Sequence, residues 1–537
     1  MDQFAYDFVV IGSGFGGSVS ALRLAEKGYS VLVLEQGKRF EDHDFPQTNW
    51  ALSKYLWAPR WRCFGLLEMS FFRGVLVLHG AGLGGGSLGY AGVLVEPHDD
   101  LYRAEGWGEL RDWRSVLAPH FTSVRQMLGV EKYPGTTPAD DVFRRMAASR
   151  ARRDTFRPTD VAVFFGEEGV EVPDPYFGGK GPSRSGCVQC GGCMVGCRYN
   201  AKNTLTKNYL YLAERLGVQI SPERRATNIR QIHSEGSAAR YEVVHQASTA
   251  WLGGDTQVVR ARNVVVSAGV LGTLELLLRC RDVTCSLPLL SRRLGTKVRT
   301  NSEALLGVSS GISDLDFSYG VSITSGFQAD DETYVEPVRY SSGSSFMRLL
   351  GAPLIASGHG LPGRVLRTVW GIVSSPLEFL RSKLGSGWAE RTTILLVMQK
   401  KDNLMQLVLR RRWWRALRYG LAIHHDDERR IPAELSVGHA LAREFASEVD
   451  GYPQTSFVES ILGMPVTAHI LGGCPMGKSA DDGVIDANGR VFNYDGLFVV
   501  DGSMMPANPG INPSLTIAAL AEHAMSAISE KAGRSHI

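Results

Sequence analysis

Two polar side chains near the C-terminal end lie among glycines and apolar residues, where they could do acid–base chemistry. His469 lies in the stretch Val466-Thr-Ala-His-Ile-Leu-Gly-Gly-Cys-Pro-Met-Gly477, and Asn512 precedes a helix predicted over 517–529. An imidazole can accept a proton near neutral pH, and groups at a helix start can donate hydrogen bonds to a ligand. A single histidine is more often structural, so this pair is a hypothesis that rests on its glycine-rich surroundings.

Four cysteines lie within eleven residues, in the stretch Cys187-Val-Gln-Cys-Gly-Gly-Cys-Met-Val-Gly-Cys197. Their C-x2-C-x2-C-x3-C spacing is typical of a ferredoxin-type iron–sulfur cluster, although Arg198 stands where a proline would follow. Zinc fits less well because it normally takes two separated pairs of ligands, and disulfides are disfavoured in a cytosolic chain. Two readings remain from the spacing: an iron–sulfur cluster, or cysteines that are simply buried.

The element that must position a cofactor is at the N-terminal end. An apolar strand predicted over 7–11 leads into Gly12-x-Gly14-x-x-Gly17, a helix predicted over 18–27, and a second strand that ends at Glu35. Gly12 permits a tight turn, Gly14 lets the backbone approach a pyrophosphate, and Gly17 lets the helix pack on the strand. Glu35 would bind a ribose diol. The pattern predicts a dinucleotide with an unphosphorylated ribose, either FAD or NAD.

Two further stretches have the same character. Residues 79–92 contain seven glycines between apolar runs that read as strands, which lets the backbone lie close to a flat or anionic group. Residues 267–279 read as another strand, glycine turn and helix. A flexible linker fits residues 79–92 poorly, because strand-like residues flank that stretch on both sides.

Composition restricts the class of protein. The chain has 537 residues, 44% hydrophobic residues and a formal net charge of +3, which predicts two connected domains and gives no indication of nucleic-acid binding. The first strand begins near the N-terminus without a secretory signal, so we expect a cytoplasmic protein whose membrane contact, if any, is peripheral. Residues 343–388 are apolar and basic, which predicts a lid, a membrane-surface contact or, equally, core helices.

The order of these motifs resembles the glucose–methanol–choline (GMC) oxidoreductase family, and within it the cholesterol-oxidase-like branch. The resemblance implies an α/β fold with a Rossmann-type FAD-binding domain and a second, α+β substrate domain with an antiparallel sheet. We expect residues 394–398 and 405–409 to form a hairpin in that sheet. The predicted FAD-binding domain comprises 1–40, 75–100, 186–310 and 460–537. The predicted substrate domain and covering loops comprise 41–74, 101–185 and 311–459.

The resemblance also implies roles for particular residues. His469 and Asn512 match the family's catalytic pair, and the flavin would lie near 85–91. The implied cofactor-binding residues are Gly12, Gly14, Gly17, Glu35, Gly85, Gly86, Ser87, Tyr90, Ala91, Asp501, Gly502, Asn512 and Pro513. Tyr90 stands where cholesterol oxidases of this branch carry an asparagine. The branch also has a second-domain glutamate, which the sequence alone does not place.

The predicted function is oxidation of an alcohol to a carbonyl by hydride transfer to flavin N5. The predicted substrate is a bulky, apolar, sterol-like alcohol, and oxygen or an external acceptor takes the electrons. Cys187, Cys193 and Cys197, with Cys190 as a further candidate, resemble the motif of FAD-linked sugar dehydrogenases that carry a 3Fe–4S cluster; a 4Fe–4S cluster would use all four. This leaves two alternatives: a polar-alcohol or sugar dehydrogenase that passes electrons through the cluster, and a non-catalytic flavin- or lipid-binding protein.

Overall fold

The computed structural model describes residues 5–232, 239–250, 254–355, 360–412, 418–425, 431–432 and 434–532. Its helices, in chain order, are α1 (Phe15–Glu26), α2 (Leu52–Tyr55), α3 (Trp113–Met127), α4 (Pro138–Ser149), α5 (Tyr209–Arg215), α6 (Gly269–Asp282), α7 (Leu361–Ser374), α8 (Pro376–Leu384), α9 (Trp388–Arg391), α10 (Ser436–Glu448), α11 (Phe457–Leu462) and α12 (Ser514–Ser526). None of the helices among these residues is long and apolar enough to cross a membrane.

The strands, in chain order, are β1 (Ala5–Ile11), β2 (Val31–Leu34), β3 (Trp57–Ala58), β4 (Cys63–Phe64), β5 (Leu67–Phe72), β6 (Val75–Gly80), β7 (Glu131–Lys132), β8 (Arg157–Pro158), β9 (Asp160–Val161), β10 (Glu171–Val172), β11 (Arg184–Ser185), β12 (Gln219–Ser221), β13 (Arg224–Gln231), β14 (Tyr241–Ala247), β15 (Thr256–Val266), β16 (Glu303–Ser309), β17 (Ser325–Gln328), β18 (Thr333–Val338), β19 (Gly351–Pro353), β20 (Thr392–Gln399), β21 (Met405–Arg412), β22 (Arg418–His425), β23 (Tyr452–Ser456), β24 (Val466–Thr467) and β25 (Leu497–Val499).

The first of two large sheets has a parallel centre. Its order is β12-β2-β1-β15-β14-β13, with β25 also paired to β15, and the pairs from β12 to β15 and β25 are parallel. The strands β1 and β2 are buried, as inner strands of a parallel sheet must be. Helix α1 packs between the sheet and α12, so the N-terminal and C-terminal segments share one core. This is the predicted Rossmann-type arrangement.

The second large sheet is antiparallel and has the order β19-β23-β16-β20-β18-β17-β8. Helices α4 and α10 cover one of its faces and share a hydrophobic core with it. The α/β fold with an additional antiparallel sheet therefore agrees with the predicted fold class. The predicted domain boundaries are not tested by these observations and stay a prediction.

The predicted hairpin is wrong. Strand β20 lies in the antiparallel sheet between β16 and β18, whereas β21 pairs with β22. The buried side chains explain the difference, because Leu395 and Val397 of β20 belong to the second core, whereas Met405 and Leu407 of β21 belong to the first. The hydrophobic core that its side chains join therefore decides where each strand lies. The prediction of core helices within 343–388 is also wrong, since α7 and α8 leave large apolar side chains exposed.

Candidate active site

The three glycines of the first motif have distinct surroundings. Gly12 has a φ of +96°, and a Cβ there would lie 2.3 Å from the Ser267 carbonyl oxygen. A Cβ on Gly17 would lie 2.0 Å from the Gly12 oxygen, so this glycine lets α1 approach the turn. A Cβ on Gly14, in contrast, would meet nothing within 4 Å. Backbone at Gly14 therefore faces open space at the start of α1, where a phosphate can bind.

This open space is part of a cavity of about 760 Å³ at the carboxyl ends of the parallel strands. Five of the predicted cofactor-binding residues line it: Gly12, Gly14, Glu35, Gly85 and Gly86. Glu35 is buried and accepts hydrogen bonds from the Ser13 and Gly37 backbone, and its burial raises the pKa of the carboxyl. Ser267, Ala268 and Gly269 also line the cavity. The cavity fits the adenosine diphosphate half of FAD.

The other predicted cofactor residues lie outside the lining of this cavity. Asp501 is buried at the end of β25, where it accepts hydrogen bonds from Thr273 Oγ1 and from Ser503, and burial raises its pKa. The Gly472 N–H donates to the Gly502 carbonyl, so this turn lies beside the stretch that contains His469. Pro513 is buried immediately before α12. The roles predicted for Asp501, Gly502 and Pro513 stay predictions.

The glycine-rich stretch after β6 includes two residues with structural partners of their own. Ser87 is fully buried, donates to the Gly84 oxygen and accepts from Leu205 N–H. The Tyr90 hydroxyl donates to the Asn203 oxygen, and burial raises the pKa of this phenol. The neighbouring Ala91 is partly buried in a smaller core cluster. Contact of Ser87, Tyr90 and Ala91 with a flavin stays a prediction.

His469 is held by a glutamate that the sequence analysis did not identify. Glu303, the first residue of β16, has a fully buried side chain, and its Oε2 lies 2.5 Å from His469 Nδ1. Its other oxygen accepts from the backbone N–H groups of Ala468 and His469. This contact fixes the ring orientation and the protonation of Nδ1, so that Nε2 is left for a ligand.

The segment before Glu303 holds the loop that leads to Asn512. The Asn301 backbone N–H donates to Asn508 Oδ1, its side-chain amide donates to the Ile511 oxygen, and its Oδ1 accepts from Gly510 N–H. Asn301 and Ser302 have φ angles of +58° and +44°. Positive φ angles are uncommon outside glycine, although asparagine tolerates them better than serine does, and they are often found at functional sites. Residues 301–303 therefore tie His469 and Asn512 to one strand of the second sheet.

Asn512 faces a second buried glutamate. Glu336 lies in β18, and burial raises its pKa to about 8, against a smaller lowering by the Asn512 amide. Among the described residues, neither oxygen of Glu336 has a hydrogen-bond partner of normal geometry, and Asn512 Oδ1 also has none. Buried polar atoms without partners are rare and suggest a ligand or water. A charged residue within the apolar strand Thr333–Val338 is the sequence signal for Glu336.

The four clustered cysteines line one small cavity of about 20 Å³ together with Lys202. Burial raises the pKa of Cys187 and Cys193, and raises that of Cys190 to about 11. Within the described ranges, no three His, Cys, Asp or Glu side chains are grouped to hold a metal ion. The predicted iron–sulfur cluster at Cys187, Cys193 and Cys197, with or without Cys190, has no support here.

Comparison with known proteins defines the class. Models of the GMC oxidoreductase family match residues 182–280 and 410–521, and an FAD binding domain model matches 7–59. The chain is 41% identical to a cholesterol oxidase of Acinetobacter baumannii, over 99% of this chain and 96% of the relative. It is 42% identical to a cholesterol oxidase of Mycobacterium tuberculosis, over 97% of this chain and 90% of the relative.

Solved structures show the same fold at low sequence identity. Pyridoxine 4-oxidase from Mesorbium loti superposes with a TM-score of 0.62 at 17% identity, covering 97% of this chain and 98% of that one. A formate oxidase superposes with a TM-score of 0.60 at 14% identity, covering 98% of each chain. The family models and the two cholesterol oxidases identify an FAD-dependent alcohol oxidoreductase. The chain belongs to the GMC oxidoreductase family, in the branch that includes these cholesterol oxidases.

Proposed function

We propose that this protein oxidises the secondary hydroxyl group of a sterol-like alcohol to a ketone and passes the electrons to molecular oxygen. The substrate class is supported by 41% identity, over almost the whole chain, to an enzyme named a cholesterol oxidase. The observation that carries the chemistry is the His469 ring held on the buried Glu303 carboxylate. FAD, when bound, accepts the hydride from the carbinol carbon.

We assign His469 the role of general base. With Nδ1 hydrogen-bonded to Glu303, the Nε2 atom can accept the hydroxyl proton of the substrate. The imidazolium that then forms lies next to a fixed negative charge, which stabilises it, as the carboxylate of a catalytic triad does. Glu303 does not touch the substrate in this account, so it is a positioning residue.

Asn512 and Glu336 would act on the oxygen of the substrate. As the hydroxyl loses its proton, the oxygen gains negative charge, and the Asn512 amide can donate a hydrogen bond without titrating. With its pKa raised to about 8, Glu336 is neutral at pH 7 and adds no repulsive charge beside that oxygen. An ionised carboxylate at this position would oppose removal of the proton. Deprotonation of Glu336 is therefore expected to slow the reaction.

Anaerobic reduction of the FAD-containing protein tests the substrate class. Cholesterol, a long-chain aliphatic alcohol and glucose are each mixed with the protein without oxygen, and bleaching of the flavin absorbance is recorded. We expect the sterol to bleach the flavin fastest and peroxide to appear when air is admitted. Faster bleaching by glucose would contradict the substrate class. Slow reoxidation by oxygen with fast reoxidation by an artificial acceptor would contradict the oxidase assignment.

A further inference from the structure

Helix α7 presents its apolar face to solvent. Val365, Leu366, Val369, Trp370 and Val373 repeat at the spacing of one helical face, and their exposed fractions run from 40% to 72%. A helix of a globular protein normally turns such a face towards the core. The outward orientation is therefore a specific feature of this helix.

The inner face of α7 is polar and firmly attached. Arg364 is 6% exposed, and its guanidinium donates to the backbone oxygens of Ser460, at 3.0 Å, and Glu459, at 2.6 Å, in α11. Thr368, one turn later, is 2% exposed and donates to the Arg364 oxygen. The helix is thus anchored by charge-assisted hydrogen bonds. Rotation to bury the apolar face would turn Arg364 outward, break these hydrogen bonds and take this donor away from the backbone oxygens of Glu459 and Ser460.

Helix α8 extends the same surface. Leu377, Leu380 and Leu384 are 68%, 48% and 75% exposed, and Lys383 attaches the helix by donating to the backbone oxygens of Arg348 and Gly351. We call the combined surface the outer apolar face. It consists of Leu361, Val365, Leu366, Val369, Trp370, Val373, Leu377, Leu380 and Leu384. Large exposed apolar side chains grouped on the faces of two successive helices mark an interaction site, unlike single scattered residues.

The charges around the outer apolar face indicate what it contacts. Between Leu361 and Leu384 the sequence has four basic residues and one acidic residue, Glu378. Of the basic residues, Arg367 and Arg381 are exposed beside the apolar side chains. Two copies of the protein meeting through this face would bring these positive charges together, which disfavours a dimer. An anionic lipid surface would instead attract them.

We propose that α7 and α8 dock this protein onto the surface of an anionic phospholipid bilayer. Helix α7 has 14 residues, which makes it about 21 Å long, shorter than the ~30 Å hydrocarbon core. It therefore lies along the interface, with the apolar side chains among the acyl chains and Arg367 and Arg381 at the level of the phosphates. This docking goes beyond the proposed alcohol oxidation and does not depend on it.

Sedimentation with vesicles tests the proposal. The FAD-containing protein is mixed with vesicles of phosphatidylcholine alone or with added phosphatidylglycerol, and the bound fraction is measured. We expect binding to the anionic vesicles that weakens with salt. The double variant Leu366→Ser/Trp370→Ser should lose binding tenfold or more, and Arg367→Gln/Arg381→Gln should lose the preference for phosphatidylglycerol. Trp61→Ser is the matched control, since Trp61 is 83% exposed outside the outer apolar face, and it should bind normally.

The outcomes separate this proposal from the others. Absence of wild-type binding to anionic vesicles, or equal binding by the Leu366→Ser/Trp370→Ser variant, would overturn it. A wild-type dimer in light scattering that the same variant loses would assign the face to a second copy instead. Turnover of detergent-dispersed alcohol should be equal in wild type and variant. A changed turnover with unchanged vesicle binding would indicate a lid over the site. Failure of all forms to oxidise any sterol would contradict the proposed function and leave docking intact.

Discussion

Replacement of Glu303 by glutamine tests the positioning of the proposed base. The carboxylate accepts three hydrogen bonds, from His469 Nδ1 and from the backbone N–H groups of Ala468 and His469. A glutamine keeps one acceptor oxygen, which the two backbone groups would retain. Its NH2 group then faces Nδ1 and forces the proton onto Nε2, the nitrogen that must accept the substrate proton. Glu303→Gln therefore puts His469 in the wrong tautomer.

The size of the effect follows from these contacts. Positioned acid–base catalysis contributes about 100- to 10,000-fold, and the analogous carboxylate-to-amide change in a catalytic triad lowers kcat by about 10,000-fold. We expect flavin reduction at saturating sterol to slow by about 100- to 10,000-fold in Glu303→Gln, with little change in KM. Loss of charge-assisted hydrogen bonds should also lower the free energy of unfolding by about 1–3 kcal/mol.

The assay is stopped-flow reduction of the flavin under anaerobic conditions, with FAD content measured by absorbance. Glu459→Gln is the matched control, because Glu459 is also buried and lies 3.2 Å from a histidine, His439, in a separate pair. It should lose stability to a similar extent and keep normal flavin reduction. Equal reduction rates in Glu303→Gln and wild type, at equal FAD content, would refute the reasoning. Equal slowing in both variants would show a general structural effect.

Three further predictions concern other residues. The rate of flavin reduction should fall as pH rises through about 8, because Glu336 then ionises, and Glu336→Gln should remove this dependence. The same carboxyl group should make the free energy of unfolding decrease as pH rises from ~4.5 to 8, because the folded state binds the proton more tightly than the unfolded state does; urea denaturation at a series of pH values measures this. Gly14→Ala should weaken FAD binding, because it adds a methyl group on the open side of the cavity, and it should leave the Tm of the FAD-free protein unchanged. Gly17→Ala should instead lower that Tm, because its Cβ would lie 2.0 Å from the Gly12 oxygen. Cys193→Ser should retain FAD and normal flavin reduction. Stoichiometric iron and sulfide in the wild-type protein would contradict this prediction, because the described side chains around Cys193 are not grouped to hold a metal ion.

Prediction from the sequence was most successful where the local structure is determined by residues close together in the chain. Gly12, Gly14, Gly17 and Glu35 lie within one short stretch, where each residue type has a local backbone or hydrogen-bonding reason. The structure accordingly has the strand, turn and helix in that order. The same local logic identified β20 and β21 as strands but not their partners, because their pairing depends on which core each strand joins.

The residues that the sequence did not reveal act over long distances in the chain. Glu303 contacts a histidine 166 positions later, and Asn301 holds a loop more than 200 positions away. Nothing in the residues around Glu303 distinguishes it from a glutamate at the exposed start of a strand. The sequence likewise left open whether the apolar residues of α7 lie in the core or at the surface, because the helical period places Arg364 opposite them without saying which side is buried. Tertiary contacts decide both features.

The central claim is that a sterol-like alcohol is oxidised with FAD as the hydride acceptor, His469 as the proton acceptor and Asn512 as a hydrogen-bond donor to the substrate oxygen. Its most direct test is a single turnover of flavin reduction by cholesterol under anaerobic conditions, in wild type and in the double variant His469→Ala/Asn512→Ala at equal FAD content. We expect rapid bleaching in the wild type and a rate at least 100-fold lower in the double variant. Bleaching of the double variant at the wild-type rate would contradict it.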